Sequence, residues 1–301
     1  MAICTAVLPV AGLGTRFLPI TKSIPKEMLP VVDQPLIQYV VEEAWSAGIE
    51  QVVLVSSRGK TSLEDHFDSN AELESALDAK GKQESLAAVR GLTPPDGRTI
   101  CAVRQHAPLG LGHAVLCARA IVGNNPFAVL LPDDLIWTGD SAPGVLSQLV
   151  EQFEKSASSV VAVMEVEQSQ TCLYGVIDPF DSEIDSRERL IKAKGLVEKP
   201  KPDSAPSNLA VVGRYILTPE IFNFLSTGNK GAGGEIQLTD AICALLAQQS
   251  VYGYRFEGVR FDCGDKAGYQ MANIALSLER PDMREQLIPF IKEQLLNYSA
   301  E

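Results

Sequence analysis

The residues best suited to chemistry lie near the start of the chain. There Leu8-Pro9-Val10-Ala11-Gly12-Leu13-Gly14-Thr15-Arg16 closes an apolar run, Ile3–Val10, that reads as a strand. Glycines after a strand let backbone N–H groups approach a phosphate or a base with no Cβ in the way. The dinucleotide fingerprint GxGxxG is incomplete, because Phe17 stands where its third glycine belongs. Residues 12 to 26 carry Arg16, Lys22 and Lys26 and no acidic side chain. Pro25-Lys26-Glu27-Met28-Leu29-Pro30 then sets a lysine and a carboxylate between two rigid prolines, a stiffness that suits a loop placing cations on a polyphosphate. On spacing alone, a plain strand-to-loop turn and a nucleotide site are both open readings.

A second candidate is acidic. The strand pattern Phe127–Leu131 runs into Pro132-Asp133-Asp134, and a third acid, Asp262, lies far along the chain. A lone aspartate at a strand end can cap a turn or ligate a cation, and both readings stand. Alternation along an extended segment turns Asp134 away from whatever Asp133 faces. Other clusters carry less. Gly59-Lys60-Thr61 has the tail of a Walker A motif, but Leu54 occupies the place of its first glycine. His66, His106 and His113 are too dispersed for a zinc site, and His113 reads as a packing residue at a helix start. The six cysteines form no CxxC pair, so buried, reduced thiols are expected. Five acids between residues 178 and 188 read as a solvated loop.

The elements that must position these residues alternate through the first half of the chain. Helical periodicity covers Pro35–Ala47, a strand follows at Gln51–Ser56, and a helix near Ser62–Asp68 leads into a polar helical stretch to about residue 90. Thr99–Arg104 is a short strand and Gly112–Ala120 a helix. This βαβαβ succession predicts an α/β fold: a three-layer, Rossmann-like, mostly parallel sheet whose carboxyl edge carries the glycine loop and Asp133 together. Later strands are expected at Val160–Val166, Tyr174–Ile177, Leu190–Leu196, Leu209–Leu217 and Val251–Phe256, as antiparallel additions and a small accessory β layer. Helices are expected at Pro219–Leu225, Ile236–Gln248, Lys266–Glu279 and Met283–Asn297. The 301 residues read as a single α/β domain without a long linker. It divides into about 1–135, about 136–270 and the C-terminal helices of 271–301.

With 26 basic and 38 acidic residues the formal charge is −12, which disfavours nucleic acid and anionic membrane as partners. Any anionic substrate must then meet locally concentrated positive charge. No apolar stretch is long enough to span a bilayer, and the apolar N-terminus has no cation ahead of it, so a cytoplasmic enzyme is expected. The apolar face of the last helix, with Leu287, Ile288, Ile291, Leu295 and Leu296, suits a core or a subunit contact, and a homo-oligomer is expected.

From GLGTR through KSIPKEMLPVVDQPLIQYVVEE the chain resembles bacterial UTP–glucose-1-phosphate uridylyltransferases, members of the sugar nucleotidyltransferase superfamily. The likeness continues in order through Arg58-Gly59-Lys60, Glu64-Asp65-His66-Phe67-Asp68, Gly110-Leu111-Gly112-His113-Ala114-Val115, Leu131-Pro132-Asp133-Asp134 and Val197-Glu198-Lys199-Pro200. It then runs through Gly213-Arg214-Tyr215, Glu235–Asp240 and Asp262-Cys263-Gly264 to Gly268-Tyr269. The resemblance implies transfer of the uridylyl group of UTP to glucose 1-phosphate, giving UDP-glucose and pyrophosphate with Mg²⁺ as cofactor. It places Ala11 and Gly12 beneath the base, Gln105 at its edge, and Gly14, Thr15, Glu27 and Gly110 in the same nucleotide pocket. Arg16 and Lys26 match polyphosphate-binding positions. Lys199 matches the lysine that meets the sugar phosphate, with Glu198 and Gly175 on the sugar, and Asp133 and Asp262 match the metal ligands. Cys172-Leu173, ahead of Tyr174-Gly175, departs from the more polar approach expected there. The same chemistry with another nucleotide or sugar 1-phosphate, and a catalytically weak regulatory paralogue, are the alternatives. A nicotinamide-dependent dehydrogenase is disfavoured by Phe17 and the proline-rich loop.

Overall fold

The computed structural model describes residues 2–139, 142–180 and 187–298. Residues 181–186 of the expected acidic loop, and 299–301 after the last helix, lie outside the described residues. Thr5–Pro9 runs parallel to Gln51–Ser56 on one side and to Phe127–Leu130 on the other, and Gln51–Ser56 runs parallel to Thr99–Arg104. The chain winds outward in one direction and then returns to the far side of its first strand. A crevice opens at the carboxyl ends of strands where the winding reverses.

Beyond Phe127–Leu130 the same sheet continues through Leu209–Leu217, Ser159–Glu165, Val251–Arg255, Leu190–Glu198 and Gly175–Pro179. Leu209–Leu217 is antiparallel to both neighbours, Val251–Arg255 is parallel to Ser159–Glu165, and the remaining joints are antiparallel. The parallel character expected from the sequence belongs to the first half, and the antiparallel additions make up most of the second. The accessory β layer consists of two small pairs, Pro30–Val31 with Gln34–Pro35 and Asp134–Trp137 with Val259–Asp262. Neither Asp134–Trp137 nor Val259–Asp262 was expected as a strand; each is four residues long and carries charged side chains, so neither shows the apolar run of a sheet core.

Strand alternation divides the core between the two faces of the sheet. Val7, Val53 and Val55 belong to one buried cluster, and their neighbours Ala6, Leu8, Val52 and Leu54 belong to the other. The helix Leu36–Ser46 covers the second cluster with Ile37, Val40, Val41 and Ala44. Beside it lies Val145–Ser156, a helix not among those expected, with Val145, Leu146, Leu149 and Phe153 at helical spacing. On the opposite face sit Leu111–Cys117, Ile221–Leu225 and Leu238–Leu245. The expected Gly112–Ala120 helix is in fact two short helices, Leu111–Cys117 and Arg119–Val122. A third cluster joins Phe17, Leu29, Val31 and Leu36 to Leu135, Cys263, Ala272 and Leu276, and thereby seats the basic loop on the helix Lys266–Glu279. In the last helix, Pro281–Tyr298, Ile288, Phe290 and Leu296 are exposed. Of the six free cysteines only Cys263 is buried and Cys172 is exposed, which corrects the expectation of uniformly buried thiols.

One buried ion pair ties these layers together. Arg214 is fully buried, and its Nε lies 3.0 Å from each Glu43 carboxylate oxygen while Nη2 donates to Oε2 at 2.7 Å. Its Nη1 donates to the carbonyls of Leu131 and Gly213 at 3.2 and 3.0 Å. Glu43 Oε1 also accepts from the Leu146 N–H at 2.9 Å, one of the donors that a helix leaves unpaired in its first turn. Removing one partner of a buried pair strands the other charge, at a cost of roughly 3–5 kcal/mol. Glu43→Ala is therefore expected to lose about that much stability in urea unfolding, whereas Glu151→Ala, in the exposed pair with Lys155, stays within about 0.5 kcal/mol of wild type.

Candidate active site

The glycine loop leaves the sheet as Val10, whose N–H still pairs with the Val55 carbonyl at 2.9 Å. Gly14 has φ 64°, and a Cβ there would stand 3.1 Å from Lys26 Cβ and 3.2 Å from Thr21 Cγ2, so the loop folds this tightly only with glycine. The Thr21 hydroxyl donates to the Gly14 carbonyl at 2.7 Å. Three single turns of 3₁₀ helix follow, at Thr15–Phe17, Ile20–Lys22 and Lys26–Met28. Phe17 anchors the first in the third core cluster, edge-on to Tyr269 with ring centres 5.5 Å apart. Its neighbour Arg16 is exposed and donates through Nη1 to the Gly264 carbonyl at 3.3 Å.

Below the loop lies a second buried pair. Glu27 is almost fully buried and meets Lys60 Nζ at 2.9 and 3.1 Å through its two carboxylate oxygens, and Lys60 also donates to the Val10 carbonyl. Burial pushes the Glu27 carboxyl up and the Lys60 ammonium down from their ordinary values. Lys60 thus clamps the two ends of the glycine loop. Glu27, expected in the nucleotide pocket, turns its carboxylate to Lys60.

Asp133 and Asp134 occupy a turn closed by the Asp134 N–H donating to the Leu131 carbonyl at 3.1 Å. Their carboxylates part company. Asp133 Oδ2 lies 2.6 Å from Lys26 Nζ. Asp134 is buried, accepts from Arg260 Nε at 2.7 Å and also from Arg260 Nη2, and takes the Gly213 N–H at 2.7 Å. Burial works against the charge of both Lys26 and Asp133, yet each offsets it for the other: Lys26 is raised and Asp133 lowered. Burial pushes Asp134 up, against the pull of Arg260. Asp262 turns Oδ1 to the Gly264 N–H at 3.0 Å and places Oδ2 3.4 Å from Arg260 Nη2. A Cβ at Gly264 would stand 2.9 Å from Asp133 Oδ2 and 3.1 Å from Asp262 Oδ1, so the two acids converge on one point.

Two cavities meet at Asp133. The smaller, about 290 Å³, collects Ala11, Gly12, Lys26, Gln105 and Gly110 from the expected set. The larger, about 690 Å³, collects Arg16, Gly175, Glu198, Lys199 and Asp262. Gly14 and Thr15 shape the loop without lining either cavity. Lys199 has φ 47°, unusual for a residue with a side chain, and its N–H donates to the Tyr174 carbonyl at 2.9 Å. At Gly175 a Cβ would meet Thr239 Oγ1 at 2.8 Å, so glycine lets this strand close on the larger cavity.

Sequence reading passes over Arg260. It bonds Asp134, lies near Asp262, donates to the Tyr174 hydroxyl at 3.1 Å and stacks over the Tyr174 ring at 5.3 Å. A signal was present: Arg260 and Asp262 are two apart, and in a strand that spacing shares a face. Lys60, set aside as a Walker A coincidence, gave no such signal, because its partner is remote in sequence. Among the described residues no three His, Cys, Asp or Glu side chains group as a metal site, and no helix is long and apolar enough to cross a membrane.

The family model described as Nucleotidyl transferase matches residues 5–277. The UTP–glucose-1-phosphate uridylyltransferase of Bacillus subtilis is 49% identical over 292 residues, covering 97% of each chain. Among solved structures, a UDP-glucose pyrophosphorylase complexed with UDP-glucose superposes with TM-score 0.83 at 44% identity, over 93% of this chain and 100% of its own. A UTP-bound UGPase from Acinetobacter baumannii superposes with TM-score 0.87 at 45% identity, over 97% of this chain and 99% of its own.

The buried pair under the loop makes a stability prediction. Lys60→Gln leaves Glu27 buried without its cation and costs about 3–5 kcal/mol, and adding Glu27→Gln recovers most of that loss in the double variant. Additive losses in chemical denaturation would contradict the pairing. The pair above it makes a pH prediction. A carboxyl held below its ordinary value of 3.8 adds stability above that value and loses it as pH falls through the lower folded value. The stability gap between wild type and Asp133→Asn should therefore close as unfolding is measured at progressively lower pH below 3.8.

Proposed function

The chain belongs to the nucleotidyl transferase family, and from that premise we propose that it transfers the uridylyl group of UTP to α-D-glucose 1-phosphate, forming UDP-glucose and releasing pyrophosphate. The observation that carries this reading is that Asp133 lines both cavities, with its partner Lys26 beside it in the smaller one. A nucleotide in the smaller cavity and a sugar phosphate in the larger one would bring their phosphates to that junction. The reading treats the chain as one domain: about 1–135 serves the nucleotide, about 136–270 the sugar, and 271–301 forms the C-terminal helices.

In this reading a phosphate oxygen of the sugar phosphate attacks the α-phosphorus of UTP. One P–O bond forms while the bond to the β-phosphate bridge breaks, and the electron pair leaves with pyrophosphate. The attacking phosphate is already ionised near neutral pH, so no general base is required. No histidine lines either cavity among the described residues, in keeping with that. The work left to the protein is alignment and charge stabilisation. Ala11, Gly12, Gln105 and Gly110 receive the base, on a loop shaped by Gly14 and Thr15. Arg16 and Lys26 face the negative charge that departs with pyrophosphate. Lys199 meets the sugar phosphate, Glu198 accepts from sugar hydroxyls, and Gly175 keeps that wall close.

Mg²⁺ fits the acidic point above Gly264. Asp133 and Asp262 offer hard oxygen donors, and the absence of a third protein ligand among the described residues suits an ion that completes its shell with phosphate oxygens and water. When bound there, it supplies positive charge to the nucleotide's phosphate oxygens. Lys26 already neutralises Asp133 in the protein alone, so Lys26 has to turn from the carboxylate to the polyphosphate when substrate enters.

The test is pyrophosphate release by purified protein. Release is expected only when UTP, glucose 1-phosphate and Mg²⁺ are all present, and a panel of other nucleotides and sugar 1-phosphates should give slower turnover. Release without the sugar phosphate, or equal rates across the panel, would overturn the reading. Lys26→Ala is expected to lower kcat/KM by about 10²–10³-fold, the scale of losing one preorganised charge-stabilising donor, while the cooperative thermal transition is retained.

A further inference from the structure

Gln105 follows the strand Thr99–Arg104 and faces the smaller cavity. A glutamine amide carries two N–H hydrogens at one end and a carbonyl oxygen at the other, and which end meets a ligand decides what it can recognise. Here the nitrogen is engaged twice. Nε2 lies 3.1 Å from the Gly110 carbonyl oxygen and 3.0 Å from His113 Nδ1. A backbone carbonyl can only accept, so the amide nitrogen is the end that belongs on that side. The reverse orientation would set two oxygens against each other.

The two acceptors are themselves fixed. The Gly110 carbonyl also takes the Ala114 N–H at 3.1 Å, in the first turn of the helix Leu111–Cys117. A Cβ on Gly110 would stand 2.7 Å from Glu235 Cβ and 2.9 Å from the Ile236 carbonyl, and the residue has φ 101°, so its position is tightly bounded. His113 is on the same helix. With the amide nitrogen of Gln105 facing it, Nδ1 has to accept, and the Cys117 thiol 4.0 Å away can donate to the same lone pair. This arrangement requires the ring tautomer with its proton on Nε2 and a lone pair on Nδ1.

Both Gln105 N–H hydrogens are thus consumed within the protein, and the amide presents only its oxygen to the cavity. We propose that His113 is a positioning residue for base selection: by accepting from Gln105 it locks the amide as an acceptor for the ring N–H of uracil. Cytosine has a lone pair at that ring position and would meet Gln105 Oε1 lone pair to lone pair. The inference rests on the uridylyl-transfer reading and adds to it the residue that sets the sense of discrimination. The opposing view, that His113 merely packs at a helix start, gives no reason for its Nδ1 to control which nucleotide is used.

The test measures kcat/KM with UTP and with CTP for the full-length wild type, His113→Leu and His113→Asn. Leucine removes the acceptor and lets the amide turn a hydrogen toward the base, so the UTP-over-CTP ratio is expected to fall by about tenfold, the scale of one hydrogen bond. Asparagine restores an acceptor oxygen near the position of Nδ1 and is expected to keep most of the ratio. An unchanged ratio in a folded leucine variant overturns the proposal. Equal loss of ratio in both variants overturns it too. A wild type that transfers no uridylyl group overturns the underlying reading, and a wild type that does so without preferring UTP to CTP overturns only the role given to His113. A second measurement needs no enzymatic turnover. The ¹⁵N–¹H spectrum of the histidine rings, assigned by the asparagine variant and recorded above neutral pH, should show His113 protonated at Nε2; a proton on Nδ1 contradicts the proposal.

Discussion

Asp133 and Asp134 leave the central sheet side by side, and two like charges at adjacent, largely buried positions are stable only if each has its own cation. The turn after Phe127–Leu130 provides for this by sending the carboxylates to opposite sides. Asp133 meets Lys26 from the basic loop, and Asp134 meets Arg260 from the accessory strand Val259–Asp262. Much of the site follows from that division. Lys26 is brought over the sheet edge by a loop that Phe17 and Leu29 hold in the third core cluster. Arg260 carries Asp262 with it, two residues along the same strand, and so sets the second acid opposite the first. Gly213 has no side chain because Asp134 Oδ2 would lie 2.6 Å from its Cβ. The two cavities share a wall at Asp133 as a consequence.

How much of this was legible in the sequence depended on the range of the interaction. The parallel half of the sheet could be read because its inner strands are continuous apolar runs covered on both faces, as in Val52–Val55. The basic loop could be read because its three cations and its prolines lie close together in the chain with no acid among the cations. Asp133, Lys199 and Asp262 needed the resemblance to known proteins, since a single charged residue at a strand end has many structural uses. The helix Val145–Ser156 has a periodic apolar face, but its flanking segments are less regular and give it no clear frame.

The residues that escaped are those whose partner is distant in the chain. Lys60 reaches Glu27 and Val10, Arg260 reaches back to Asp134, and Arg214 reaches Glu43. No local pattern encodes such pairings, because each depends on how the strands are ordered in the sheet. The placement of Glu27 shows the same effect from the other side. The resemblance sets it in the nucleotide pocket, but its buried carboxylate meets Lys60, a partner that no local pattern announces. His113 gained its meaning in the same way, from the amide of Gln105 arriving from the neighbouring strand end.

The central physical claim is that Lys26 and Asp133 act through each other, paired in the protein alone and separated when substrate takes over the lysine. A double-mutant cycle on kcat/KM, using Lys26→Ala, Asp133→Asn and the combined variant, measures this coupling directly. If the claim holds, the combined variant will be slower than the product of the two single losses, because each single change also spares the cost of parting the pair, and the product counts that relief twice. Losses that multiply, so that the double variant is slower by the product of the two single effects, would show that the two residues work independently and would contradict the account.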